Sequence, residues 1–354
     1  MERIVMTMPI APYHNFSVGK LSTPILAKSL ATKLNAKYVL AVNCLDAYKT
    51  RGIMEYMNLL HMYDLEPDEY WIDSEHKEEL LQQIYYLIDN NYIYSSKRDI
   101  LSCHCKRVEI PIQHLDSINM NDACFYRENG NYYCKYCHSI CCVSEKDSLI
   151  FNPKLVTDCH FNFYPDFINK DIKTFHKNIL NNEIIISRER DTGISLNYHN
   201  DIYHIDIDFL WGVYLSLFPD KDKIVMCSNH QLYQLYLVTL LEKCFSNEGQ
   251  TISLATPYFN LSDKNLEKEL EGRILSLQLF SIFNQKWSKK ENVFDEGLLK
   301  FINTMNVEKK EMLYRIVMEE AKDSDMLLSL KKILREDFNL QNANKELKRR
   351  RVNV

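Results

Sequence analysis

Apolar residues follow two rhythms along this chain. Residues 4–10 read as an apolar strand ending at Pro9 and Pro12, residues 17–34 repeat apolar positions at helical spacing, and residues 38–42 (YVLAV) are continuously apolar. Short unbroken runs suit strands buried on both faces, so strand, helix and strand together predict a βαβ crossover. Ser17 stands where it would cap that helix, whose N-terminus would then face the loop at 11–16 and offer unpaired N–H groups to an anion. Helical spacing returns at 52–63 and 75–90, then fails near residue 100 in a stretch rich in Cys, Tyr and Asn with a turn at 129–131. Past it, 183–187, 203–209 and 223–227 read as strands, and 231–244 as a helix. On the 203–209 strand, period-two spacing would put Asp206 and Asp208 on one face. From 266 to 338 the chain is helix-prone, with amphipathic runs at 266–287, 295–305, 309–322 and 326–335. No internal repeat or low-complexity linker interrupts it. The pattern predicts an α/β fold, with a parallel-sheet domain in two halves at 1–100 and 161–270, a small insertion at 101–160, and a helical C-terminal domain at 271–354.

Composition narrows the chemistry. The 354 residues are 46% hydrophobic and 26% charged with a formal net charge of −5, which excludes disorder and collagen-like fibres. Glycine contributes only 8 residues, and neither a Walker loop nor a GxGxxG fingerprint, both built on clustered glycines, is present. Apolar stretches are strand-length and broken by charge, and no basic segment followed by an apolar one opens the chain, so the expectation is a cytoplasmic protein without a membrane partner. Residues 331–354 carry eight Lys/Arg against three Asp/Glu, a net of +5 that leaves −10 on residues 1–330. That tail reads either as a polyanion contact or as a solvated terminus.

Seven of the 11 cysteines fall between Cys103 and Cys142. Such clustering in a reducing compartment favours metal over disulfides. Cys103 and Cys105 form one close pair, Cys134 and Cys137 another, and four thiolates from two knuckles satisfy tetrahedral Zn2+. Cys124, Cys141 and Cys142 are surplus thiols that could replace a nominated ligand, and His104 and His138 are weaker candidates. The expected role is structural, because no general base stands nearby, and the insertion is expected to lack an apolar core of its own.

The loop after the first strand reads APYHNFSVGK at 11–20. Placed between a first strand and a first helix, A-P-x-x-x-x-S-V-G-K resembles the HIGH signature of class I aminoacyl-tRNA synthetases. Pro12, Tyr13 and Asn15 resemble the P-Y-x-N lead-in of the methionyl group. Further matches follow in family order. Residues 38–49, YVLAVNCLDAYK, resemble the glutamyl-type strand and turn F-I-L-R-I-E-D-T-D-x-x-R with Asp46 kept, and residues 71–96 resemble the glutamyl-type stretch that leads into a zinc site. ISRERDTGI at 186–194 resembles the I-S-R-x-x-x-W-G-I motif of the methionyl and branched-chain groups, with Thr192 in place of tryptophan. NLSDK at 260–264 stands where the family has its K-M-S-K-S loop.

The resemblance covers residues 1–265 and implies a Rossmann-type (HUP-like) catalytic domain with a zinc-bearing insertion. It also implies ATP-dependent activation of an amino acid as the aminoacyl-adenylate, with Mg2+, followed by transfer to tRNA or to a small-molecule acceptor; DNA is not an implied partner. Ser17 stands at the first signature histidine, Gly19 at the glycine and Lys20 at the second histidine, while Lys264 matches the second lysine of the later loop and Asn260 replaces the first. The implied catalytic residues are therefore Lys20, His14 and Lys264, with Pro12, Ser17, Gly19 and Ser262 completing the ATP site. Ala41 and Asp46 are the implied amino-acid contacts; Arg188, Asp206, Asp208 and Asn229, at expected strand ends of the second half, are further pocket candidates, with Asp206 and Asp208 equally readable as solvated carboxylates. Ala41 stands where the glutamyl pattern has arginine, so a glutamate substrate is not supported. Loss of both signature histidines keeps two other readings open: a catalytically inactive paralogue that binds tRNA or a partner, and a nucleotidyltransferase on the same fold.

Overall fold

The computed structural model describes residues 3–12, 21–46, 52–62, 64–112, 115, 124–156, 159, 161–164, 172–173, 176–177, 183–190, 193–219, 221–228, 231–245 and 249–256. The chain opens with β1 (Arg3–Thr7), α1 (Ser22–Leu34), β2 (Lys37–Val42), α2 (Ile53–Met62), β3 (Glu69–Ile72) and α3 (Lys77–Asp89). A run of strands follows: β4 (Ile93–Ser102), β5 (Glu109–Pro111), β6 (Phe125–Glu128), β7 (Asn131–Cys134), β8 (Cys142–Phe151) and β9 (Phe163–Tyr164). Then come β10 (Ile184–Ile185), β11 (Ser187–Arg188), β12 (Ile194–Tyr198), β13 (Asp201–Ile205), α4 (Ile207–Val213), β14 (Asp222–Ser228), α5 (Leu232–Cys244) and β15 (Thr251–Thr256).

Six strands make one all-parallel sheet in the order β3-β2-β1-β14-β15-β9. The order runs outward in both directions from β1 and β14, which is the doubly wound arrangement, and it leaves a crevice at their C-terminal ends where the direction reverses. The continuous apolar runs explain the central placement: Ile4, Val5 and Met6, then Val39 to Val42, then Ile224 to Met226 are all fully buried. Helix α1 stops where Asn35 takes a left-handed φ of 49° and returns its N–H to the Ala31 and Thr32 carbonyls.

Within the α/β domain three sequence expectations change. Helix α1 begins at Ser22 with Leu21 at its N-cap, so Ser17, which lies outside the described residues, is not its cap. The 183–187 strand divides at Ile186, with β10 pairing to β8 and β11 to β13. The 203–209 strand ends at Ile205; Asp206 caps α4 by accepting the Asp208 N–H at 3.4 Å, and Asp208 lies in the first turn. Asp206 and Asp208 therefore share no strand face. Alternation in HIDIDF imitates a strand, but α4 is buried almost all round, which erases the helical period that would reveal it.

An antiparallel ladder of ten residue pairs, Ile93↔Phe151 through Ser102↔Cys142, carries the cysteine-rich segment at its far end. Its exposed middle, polar on both faces, gives no alternation to read. Contrary to expectation the segment has a small core: Leu101, Val108 and Phe125 pack with Cys103, Cys134 and Cys141. The helical stretch expected at 271–354 and the loop at 260–264 lie outside the described residues. Among the described residues, no helix is long and apolar enough to cross a membrane.

Candidate functional site

The crevice between β1 and β14 is built from backbone held on both flanks. Thr7 Oγ1 accepts the Ala41 N–H at 3.1 Å, and the Thr7 carbonyl accepts the Tyr214 hydroxyl at 2.7 Å. Met8 N–H donates to Met226 O at 2.7 Å, Ile10 N–H to Ala41 O at 2.9 Å, and Asn43 N–H to Ile10 O at 2.9 Å. The strand is thus extended in register past its formal end and delivers the buried Pro12 to the mouth of the crevice. Leu21, the N-cap of α1, supplies no side-chain acceptor there, and a helix N-terminus at this edge is where an anion would sit. Of the expected ATP and catalytic residues, Pro12 is placed here; His14, Ser17, Gly19, Lys20, Ser262 and Lys264 lie outside the described residues, as does Asn229.

The loop after β2 forms the next wall. Asn43 is fully buried, and its Oδ1 accepts the Asp46 N–H at 3.2 Å. Asp73, just beyond β3 and 1% exposed, accepts the N–H groups of Cys44 at 2.6 Å and Leu45 at 3.0 Å on one oxygen. Burial pushes the Asp73 carboxyl up to about 6 despite these donors and the nearby Trp211 indole. Neither Asp73 Oδ2 nor Trp211 Nε1 closes a hydrogen bond of normal geometry. From the other side, Gly193 N–H donates to Leu45 O at 3.1 Å. Its φ is +85° and a Cβ there would lie 2.3 Å from the Ile205 carbonyl oxygen, so only glycine allows this approach. Trp71, stacked on His76 at 4.4 Å and tilted against Tyr214 at 4.9 Å, packs in the adjoining core. Ala41, an expected substrate contact, is fully buried within β2; Asp46 sits in the loop itself, 8% exposed.

Arg188 and Asp206 meet. Arg188 Nε donates to Asp206 Oδ2 at 2.7 Å, and Arg188 Nη1 donates to the Glu109 carbonyl at 2.5 Å. The Glu109 carboxylate, raised by its burial, receives the Glu189 N–H at 3.1 Å on each oxygen. Lys106 Nζ reaches the Glu189 carbonyl at 3.1 Å, and Lys146 pairs with the Glu189 carboxylate at 2.8 Å. The guanidinium expected to contact substrate is therefore already engaged, and it joins the start of α4 to the base of the cysteine knuckle.

The knuckle brings the sulfur atoms of Cys103, Cys105, Cys134 and Cys137 within 4.8 Å of one another. A tetrahedral tetrathiolate with Zn–S of about 2.3 Å has S···S edges of roughly 3.8 Å, so the set fits zinc. Two further features suit it. Val108 N–H points to Cys103 Sγ and Tyr136 N–H to Cys134 Sγ, each at 3.4 Å, which stabilises thiolate charge. Lys106 and His138, which follow the second cysteine of each pair, both hold a left-handed φ of 56° that turns the chain around the sulfurs. The Cys137 thiol is brought down to about 6, chiefly by the Ser139 N–H. His104, His138, Cys124, Cys141 and Cys142 are not part of the set.

Sequence reasoning missed Thr7, Asp73, Glu109 and Trp211. Asp73 left one trace, a carboxylate closing the apolar strand EYWI; the others act through partners distant along the chain.

No protein-family model and no curated protein matches the sequence. Solved structures do. A Mycobacterium tuberculosis methionyl-tRNA synthetase bound by methionyl-adenylate matches with a TM-score of 0.65 at 12% identity over 87% of this chain and 70% of that one. A second structure of that enzyme with methionyl-adenylate gives a TM-score of 0.66 at 12% identity over 99% and 84%. Its free form gives 0.62 at 14% identity over 86% and 66%. At these identities the likeness is one of fold.

Proposed function

We propose that this chain, which has the fold of a class I aminoacyl-tRNA synthetase, activates an amino acid with ATP to form an aminoacyl-adenylate and passes it to an acceptor hydroxyl or amine. One observation carries the reading: the crevice where the doubly wound sheet reverses, walled by pinned backbone, belongs to a fold whose neighbours hold methionyl-adenylate. Methionine is accordingly the first substrate to test.

In this reading the amino-acid carboxylate attacks the α-phosphate of ATP and pyrophosphate leaves; Mg2+, when bound, would offset charge on the phosphates. Such a step needs positive charge and N–H donors around the phosphates, and no protein nucleophile. Lys20, His14 and Lys264 supply the charge; Pro12, Ser17, Gly19 and Ser262 shape the ATP site beside the N-terminus of α1. Asp46 takes the α-ammonium group. The Arg188 and Asp206 pair, with Asn229, walls the side-chain end, and Ala41 fixes β2 beneath it. Zn2+ on Cys103, Cys105, Cys134 and Cys137 would hold the knuckle's shape, and the chemistry proceeds without it. The segments at 1–100 and 161–270 form the catalytic domain in the cytoplasm, 101–160 the insertion, and 271–354 a helical domain that tRNA would meet.

Equilibrium binding of ATP to the full chain tests the site. A charge-assisted phosphate contact is worth about 1.5–3 kcal/mol, so Lys20→Ala is expected to weaken ATP at least tenfold; no ATP binding by the wild type would refute the assignment. A second reading rests on Ser17 and Lys20 replacing both signature histidines: an inactive paralogue that binds tRNA. Salt-sensitive tRNA binding, indifferent to Lys20→Ala and without adenylate formation, would favour it.

A further inference from the structure

We infer that Asp73 is a positioning residue that latches the loop carrying Asp46 to the end of β3, so that the amino-acid site is held open from beneath by a carboxylate that touches no substrate. What the loop is for rests on the function proposed above; the latch itself rests on geometry alone.

Where β2 ends at Val42, the backbone must leave the sheet, and the N–H groups of Cys44 and Leu45 lose their ladder partners. Buried backbone donors without acceptors are costly, and one Asp73 oxygen accepts both, at 2.6 and 3.0 Å. Asp73 is 1% exposed, so water does not compete for those donors. The carboxylate is itself anchored, since Asp73 opens the short 3-10 turn Asp73–Glu75 and the Ser74 N–H also points to it. Other contacts hold the loop as well: the Asn43 N–H on the Ile10 carbonyl, Asn43 Oδ1 on the Asp46 N–H, and the Leu45 carbonyl on Gly193. Asn43 lies inside the loop and Gly193 holds a single carbonyl. Asp73 ties two successive amides of the loop to the end of β3, the neighbouring strand of the sheet. Its removal leaves two N–H groups unpaired and frees the peptide units on which the placement of Asp46 depends.

The test uses the full zinc-loaded chain and two readouts. Amide hydrogen exchange is measured over 43–46, with α3 and β14 as internal references, in wild type, Asp73→Ala and Asp73→Asn. Amino-acid-dependent ATP–pyrophosphate exchange is measured on the same samples, with methionine as the probe. In Asp73→Ala the Cys44 and Leu45 amides are expected to exchange at least tenfold faster while α3 and β14 are unchanged, and KM for the amino acid is expected to rise at least tenfold with a smaller change in kcat. Asp73→Asn, which keeps an acceptor oxygen, is expected to recover most of both. If Asp73→Ala fails to fold, Asp73→Ser, too short to reach both amides, takes its place. Unchanged loop exchange overturns the latch, and a loosened loop with unchanged KM overturns its positioning role. A wild type that exchanges no pyrophosphate while the loop responds as described refutes the proposed function and leaves the latch standing.

Discussion

Replacing Asp206 by alanine removes the partner of a guanidinium that the fold has largely withdrawn from water. The Arg188 and Asp206 side chains are 25% and 11% exposed, and their ion pair is 2.7 Å. Breaking a buried pair from one side costs about 3–5 kcal/mol, because the remaining charge stays desolvated. Here the cost falls at or below the bottom of that range, at about 2–3 kcal/mol, because Arg188 keeps the Glu109 carbonyl and has the Glu109 and Asp208 carboxylates nearby. The cap contact to Asp208 N is long at 3.4 Å, so losing it adds only ~0.5 kcal/mol. The sum is about 3 kcal/mol, equivalent to a Tm lowered by roughly 6–12 °C for a domain of this size. Denaturant and thermal unfolding of wild type, Asp206→Ala, Arg188→Met and the double variant Arg188→Met/Asp206→Leu measure it. The double variant is expected to recover at least half the loss, since no lone charge remains. A loss under ~0.5 kcal/mol in Asp206→Ala, or a double variant equal to the sum of the single ones, would refute the reasoning.

Three other outcomes follow from the structure. Cys134→Ser is expected to abolish stoichiometric zinc, measured by atomic emission, and to expose the small core around Phe125 to limited proteolysis; full zinc in that variant would move the ligand set to a surplus cysteine. Lys223 is fully buried, with Nζ 3.1 Å from Glu242 and 3.0 Å from the Phe218 carbonyl, so Lys223→Met removes the charge partner of Glu242, which keeps the Thr251 hydroxyl, and should cost about 3 kcal/mol in urea unfolding. Asp73 titrates at about 6 when folded against an ordinary 3.8, so the folded chain binds that proton more tightly than the unfolded one. Its contribution to stability is present below about pH 4 and lost as pH rises through 6, a change of at most ~3 kcal/mol relative to Asp73→Asn; a flat difference between the two from pH 4 to 7 would contradict it.

Where sequence and structure agree, the information was local. The apolar runs of β1 and β2 read as buried strands of a βαβ unit, and the close spacing of the two cysteine pairs already predicted one tetrathiolate set. Disagreement arises where distant partners decide. Asp206 follows β13 in a pattern that alternates like a strand, and only the burial of Phe209, Leu210 and Trp211 on every side makes a helix of it. The β4 and β8 ribbon is polar through its middle and is held by its pairing, which no single-strand pattern reports. Arg188 was legible as a site residue; that its guanidinium is engaged by Asp206 and Glu109 depends on contacts 18 and 79 positions away. Asp73 is the extreme case, since its role exists only through the N–H groups of a loop 28 and 29 positions earlier.

Amino-acid-dependent ATP–pyrophosphate exchange by the full zinc-loaded chain, run over the standard amino acids with methionine first, bears most directly on the proposal that the crevice between β1 and β14 forms an adenylate. Exchange with at least one amino acid, reduced tenfold or more in Lys20→Ala, is the expected result. No exchange with any of them, by a folded chain carrying its zinc, would contradict it.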